Sequence, residues 1–178
     1  MAHNILFAGF GGQGVQFAAK VTAYSGMVSG CEVSLLPSYG PEMRGGTSNC
    51  AVRIDTKMIA APIVNEPNIL MALNQPSYDK FAVKTEAGGC IIYDDSLIKR
   101  SDDRTDINVY PIPATKLSRE HGYTGLANMI ALGYMAKKTG FLPIEDIKEG
   151  LKKAVPASKA ALLDKNIEAL EFGYNYNN

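Results

Sequence analysis

Cysteine is scarce in this chain: Cys31, Cys50 and Cys90 are the only three among 178 residues. They lie far apart and no C-x-x-C occurs, so neither an iron–sulfur cluster nor a structural zinc is signalled. Cys50 and Cys90 fall in apolar, strand-like runs and read as small core residues. Cys31 follows Gly30 at a helix end and reads as structural too. Histidine is scarcer still. His3 flanks the first strand and His121 sits in the polar stretch Arg119-Glu120-His121-Gly122. Neither has an evident partner for acid–base work. An excess of charge of one sign is also missing, because 18 Lys and Arg balance 18 Asp and Glu. No basic tract marks a nucleic-acid surface. No apolar run reaches the ~18 residues of a membrane span. The N-terminus enters a strand directly, without a signal-peptide pattern, and a cytoplasmic location is the expectation. The length suits one domain over residues 1–178.

Glycine, in contrast, is plentiful where it matters. The chain opens MAHNILFAGFGGQGVQFAAK. Asn4-Ile5-Leu6-Phe7-Ala8 reads as a buried strand. From Val15 onward, Val15, Ala18, Ala19 and Thr22 share one helical face. Gly9, Gly11 and Gly14 between them match G-x-G-x-x-G in the strand–turn–helix context that a phosphate-binding turn requires. Glycine admits tight backbone angles and close approach of a ligand. The helix start offers free N–H groups and the positive dipole end. A dinucleotide enzyme also needs an acid at the far end of its second strand to hold the ribose. Here Glu32 begins that strand, Glu32-Val33-Ser34-Leu35-Leu36, and Pro37, Ser38 and Tyr39 stand at its end. Ordinary NAD or FAD binding is therefore not expected. An anion-binding turn of another kind, and a turn that only packs helix against sheet, both remain open.

The rest of the chain reads as a helix over 13–29, the strand 32–36, and a strand over 47–54. A hairpin turn at Asp55-Thr56-Lys57 leads into a strand Met58-Ile59-Ala60-Ala61. Further strands follow at 68–73, 90–93 and 107–112, with Pro76 marking a helix first turn. After Pro113 the chain turns helical: 114–120, 125–139, 144–155 and 158–171. Gly133 in mid-helix costs ~1 kcal/mol against alanine, which points to close helix packing there. The tail from Tyr174 is expected to fray. These elements describe an α/β domain: three-layer, Rossmann-like, with a largely parallel or mixed sheet and a helical C-terminal part.

A second glycine loop is the strongest functional signal. Pro37-Ser38-Tyr39-Gly40-Pro41-Glu42-Met43-Arg44-Gly45-Gly46 follows the second strand, where open α/β sheets bind ligands. It should lie near the Gly9–Gly14 turn. Arg44 carries a planar charge suited to phosphate or carboxylate. Tyr39 and Met43 are apolar enough to cover a ligand or a partner. The bland alternative is an ordinary solvated loop, but loops this long and glycine-rich are more often functional.

The motifs GFGGQGV, then LPSYGPEMRGGTSNC, then PIVNEPNILMALNQPSYDKF resemble the gamma subunit of 2-oxoacid:ferredoxin (or other acceptor) oxidoreductases, most of all the 2-oxoglutarate enzyme. The pyruvate and ketoisovalerate enzymes have similar chains. The resemblance extends through ATKL and GLANMIALGYMAKKTG. It implies a non-catalytic chain in a hetero-oligomer that converts a 2-oxoacid and coenzyme A to acyl-CoA, carbon dioxide and two electrons. Thiamine diphosphate is then held by alpha and beta subunits, and iron–sulfur clusters by beta and a ferredoxin-like delta subunit. This chain has no Gly-Asp-Gly thiamine motif and no cluster cysteines, and no cofactor of its own is expected. Gly11, Gly12, Gln13 and Gly14 match the first family motif. Tyr39, Gly40, Pro41, Glu42, Arg44, Gly45 and Gly46 match the second. No catalytic or metal-binding residue is expected. The implied role is to help receive coenzyme A, whose pyrophosphate suits the turn and Arg44. Self-association of the isolated chain is a further expectation. A free-standing nucleotide-binding protein and a purely structural interface subunit are the alternatives.

Overall fold

The computed structural model of the chain describes residues 2–39 and 47–177. Strand β1 (His3–Phe10) leads through the glycine turn into helix α1 (Val15–Val28). Strands β2 (Glu32–Tyr39), β3 (Thr47–Asp55) and β4 (Ile69–Ala72) follow, then helix α2 (Gln75–Ala82). Strands β5 (Cys90–Asp94) and β6 (Asn108–Ile112) complete a six-stranded sheet of order β2-β3-β1-β4-β5-β6. The chain ends in helices α3 (Ala114–Glu120), α4 (Ala127–Thr139), α5 (Ile144–Ala154) and α6 (Leu163–Asn175), with a 3-10 turn over Ala157–Leu162.

The sheet is mixed. β4, β5 and β6 run parallel to β1, while β3 is antiparallel to both β1 and β2. β1 is buried on both faces, as a continuous apolar run in a central strand should be. Ile5 and Phe7 join Val52, Met71 and Ile92 under α1 and α4, and Leu6 and Ala8 join Leu70, Ile91 and Tyr78 of α2. Helices α5 and α6 form an outer tier on α1 and α4.

Four expectations change. The strand expected over 58–61 is absent, and Met58 is exposed. Both edges of β3 are occupied, since Val52 pairs with Ile5 on one side and Leu35 on the other, so a hairpin partner has nowhere to bond. β2 does not stop at Leu36 but runs through Pro37 to Tyr39. Pro37 is tolerated because β2 is an edge strand with its outer side unpaired. The last helix is a 3-10 turn followed by α6, not one helix from Ser158. Nor is Tyr174 frayed: α6 continues to Asn175, Lys137 lies over the Tyr174 ring, and Tyr176 stacks edge-on against Tyr134. The close packing at Gly133 is present. A Cβ there would lie 1.9 Å from the Leu170 carbonyl oxygen, and one at Gly173 the same distance from that of Ile130.

Candidate functional site at the C-terminal ends of the strands

The glycine turn is held from three sides. The Gln13 side-chain oxygen accepts from the Phe10 N–H at 2.7 Å and from Asn74 Nδ2 at 3.2 Å, while Gln13 Nε2 donates to the Leu73 carbonyl at 2.7 Å. This amide therefore ties the end of β1 to the end of β4. Asn74 is itself the N-cap of α2, accepting from the Ser77 N–H at 2.8 Å. Gly12 has φ +98° with open space where a Cβ would stand. Gly14 has φ +75°, and a Cβ there would meet Asn128 Nδ2 at 2.3 Å. That same Nδ2 donates to the Gly14 carbonyl at 3.2 Å, which brings the start of α4 against the start of α1. No side chain caps α1 and no acid occupies its first turn, so its positive end is not neutralised locally.

The second loop is placed by its ends. Gly40, Pro41, Glu42, Met43, Arg44, Gly45 and Gly46 lie outside the described residues. Tyr39, whose backbone closes β2, pairs with Ser48, and Ser48 pairs with Gly9. Thr47 pairs with Phe10. Gln16 of α1 donates to Ser48 Oγ at 3.0 Å and to the Asn49 carbonyl at 2.9 Å, pinning the loop's exit to the helix that follows the first turn. The two glycine segments thus leave the same end of the sheet. Glu32 pairs with Asp55 at the opposite end. Seven residue steps at ~3.3 Å put it roughly 23 Å from the loop, too far to hold a ribose beside the turn.

Beside the turn, outside β1, β4 and β5, lies a cavity of about 260 Å³. Gly12, Gln13, Leu73, Asp94, Arg119 and Thr124 are among its lining residues. Asp94 is fully buried and satisfied. Its two carboxylate oxygens accept from the Ser96 N–H, the Thr115 N–H and the Thr115 hydroxyl. It anchors α3 to the end of β5. Arg119 projects from the last turn of α3 and is exposed. Sequence reasoning singled out neither residue, because 94 and 119 meet 13 only through the sheet order. For Asp94 the available signal was position, a polar residue at a strand's C-terminal end. A larger cavity, about 570 Å³, lies at the opposite end of the strands, against Asn4, Asn68 and Gly88. It touches neither glycine motif.

Other reactive groups are disarmed by burial. The Cys50 thiol is pushed up to about 12 and Cys90 to about 11, so both stay protonated at neutral pH. Burial lowers His3, with the nearby N-terminal charge adding to the effect. Among the described residues no group of three His, Cys, Asp or Glu could hold a metal ion. No described helix is long and apolar enough to cross a membrane.

Comparisons with known proteins point one way. The sequence family described as pyruvate ferredoxin/flavodoxin oxidoreductase matches residues 4–176. Ketoisovalerate oxidoreductase subunit VorA of Methanothermobacter thermautotrophicus is 39% identical over 172 residues, covering 96% of this chain. This chain spans only 35% of that relative's length. 2-Oxoglutarate synthase subunit KorC of Methanocaldococcus jannaschii is 32% identical over 98% of this chain and 93% of its own. Among solved structures, the gamma subunit of a keto/oxoacid ferredoxin oxidoreductase from Geobacter sulfurreducens PCA superposes with a TM-score of 0.85 at 26% identity. It covers 98% of this chain and 95% of that one.

Proposed function

This chain belongs to the pyruvate ferredoxin/flavodoxin oxidoreductase family, and on that premise we propose that it is the gamma subunit of a 2-oxoacid oxidoreductase whose glycine loops help form the coenzyme A site. The observation that carries the reading is the convergence of the two loops. Pairing of Phe10 with Thr47 and Gly9 with Ser48 brings the first glycine turn and the residue that follows the second loop to one end of the sheet, which supports an anion-binding role for the turn. The complex cleaves the bond between the carboxylate and the keto carbon of the 2-oxoacid. Carbon dioxide leaves, the acyl group passes to the coenzyme A sulfur, and two electrons go to ferredoxin or another acceptor.

Thiamine diphosphate and iron–sulfur clusters in the alpha, beta and delta partners supply the carbanion and electron chemistry. This chain contributes binding and orientation. The Cys50 and Cys90 thiols are buried and held protonated. The reading of 2-oxoglutarate as the 2-oxoacid is supported by KorC, 32% identical over 98% of this chain and 93% of its own length, against 29% for a pyruvate/ketoisovalerate gamma subunit of similar coverage; VorA, at 39%, is the ketoisovalerate rival. Leu35 and Leu36 on β2, next to the second loop, are 41% and 39% exposed, and Ile63 58%. Exposed apolar residues grouped beside a site are what a subunit interface requires.

The test is co-purification of the tagged chain at native expression levels. The expected result is a complex with thiamine-diphosphate and iron–sulfur chains that reduces ferredoxin when given 2-oxoglutarate and coenzyme A. The chain alone should be inactive and should show no tight NAD binding. A fully active complex assembled without this chain overturns the reading.

A further inference from the structure

The connection between β3 and β4, residues 56–66, crosses the face of the sheet opposite α1. From Met58 to Glu66 no backbone–backbone hydrogen bond is formed among the described residues. Met58 and Ile63 point outward, 89% and 58% exposed. Two ties hold the segment down. Val64 packs against the cluster that contains Leu6, Ala8 and Ala51. Arg53 Nη1 donates to the Ala61 carbonyl at 2.7 Å. Even so the contact is incomplete, because a cavity of about 160 Å³ lies between Ile63, Val64, the sheet residues Leu6, Leu36 and Ala51, and Phe81 of α2.

A polar row lies under this strap. Asn4 pairs with Arg53, and Arg53 with Ser34. Residues directly opposite one another in an antiparallel ladder share a face, and Asn4 shares the face of Leu6 by the strand period of two. Asn4 Oδ1, Arg53 Nε and Ser34 Oγ are all covered, and none has a hydrogen-bond partner among the described residues. A buried polar group left unpaired costs more than a hydrogen bond returns. Lifting the strap lets water reach all three. The closed position is thus held by Val64 and the Arg53–Ala61 bond against the polar row beneath.

We propose that residues 56–66 form a lid that opens as a unit while the sheet stays folded, with Arg53 as its latch. Segments with few buried apolar contacts and no backbone hydrogen bonds are the ones that open locally. Opening uncovers Leu6, Ala51 and the Asn4–Arg53–Ser34 row as one surface, apolar beside polar. The proposal does not depend on the acyl-acceptor reading and concerns the chain alone.

The test is thiol labelling of the whole folded chain with a bulky maleimide, read by peptide mass mapping. Ala51→Cys places a thiol under the lid. Its neighbour, native Cys50, lies on the other face under α1 and reports opening of the sheet itself. The expected result is that the introduced thiol reacts much faster than Cys50 under native conditions. R53M removes the latch and should raise its rate about fivefold, the worth of one hydrogen bond, with Cys50 unchanged. S34A removes one unpaired group from under the lid and should shift the rate the other way, slowing it about fivefold or more. An introduced thiol as slow as Cys50 overturns the proposal. So does a rate indifferent to R53M, an R53M effect equal at both thiols, or S34A speeding the reaction. If R53M fails to fold, V64A replaces it, and a rate ratio to Cys50 that V64A does not raise overturns the proposal equally.

Discussion

Replacing Gln13 by Glu removes one donor and alters nothing else in shape, which makes it a sharp probe of the turn. The carboxylate can still accept from the Phe10 N–H and from Asn74 Nδ2. Its second oxygen, however, would face the Leu73 carbonyl oxygen, at the 2.7 Å where Gln13 now donates. Losing that bond costs about 1 kcal/mol, and leaving two acceptors opposed in a half-buried site adds roughly 1–3 kcal/mol. The expected destabilisation at neutral pH is therefore about 2–4 kcal/mol. Gln13→Ala loses all three bonds at about 1 kcal/mol each and lands in the same range.

Only the Glu variant should be rescued by acid. Protonated, it can donate to Leu73 again, so its folded pKa is raised above the unfolded value of about 4.3. A raised folded pKa means the stability is fully present below the unfolded pKa and is lost as pH rises through the folded one. Urea denaturation of wild type, Gln13→Ala and Gln13→Glu at about pH 7 and about pH 4 reads this directly. A Glu variant as stable as wild type at neutral pH, or a penalty equal at both pH values, would refute the account of the turn.

The remaining expectations are more local. Gly133→Ala should destabilise by about 2 kcal/mol or more, because a Cβ 1.9 Å from the Leu170 carbonyl forces α4 and α6 apart and the overpacking exceeds the ~1 kcal/mol helix-propensity gain; calorimetry would show a melting point lowered by several degrees. Gly14→Ala should be costly as well, since φ +75° and Asn128 Nδ2 at 2.3 Å leave a side chain neither angle nor room; retention of wild-type stability would contradict this. At about pH 8 a thiol near 12 is thiolate only about once in ten thousand molecules, so Cys50 should resist alkylation in the folded chain and half-buried Cys31 should react first. Mass mapping of the modified cysteines would show the order.

The turn was legible because every local signal agreed: an apolar strand, spaced glycines, then a helical face; Pro76 likewise marked the first turn of α2. Glu32 was also placed correctly, at the start of β2, since strand direction follows from chain order. What escaped was decided by distant partners. The apolar run 58–61 has strand propensity, but β3, the strand it would pair with as a hairpin, already has both edges occupied. Tyr174 and Tyr176 look like a polar tail until α4 supplies the surface they dock on. Asp94 and Arg119 belong to the site only because β5 and α3 are brought beside β1 and β4. Gln13, read as a ligand-binding residue from its motif, also serves as a clamp between strands, a role visible only once Leu73 and Asn74 are in place.

The central claim is that this chain serves the acyl acceptor, and steady-state kinetics on the complete complex carrying Arg44→Ala test it most directly. With subunit stoichiometry verified first, the Michaelis constant for coenzyme A should rise about ten- to hundredfold, the worth of a charge-assisted hydrogen bond of ~1.5–3 kcal/mol, while that for the 2-oxoacid stays where it was. An intact complex with an unchanged Michaelis constant for coenzyme A would contradict the claim.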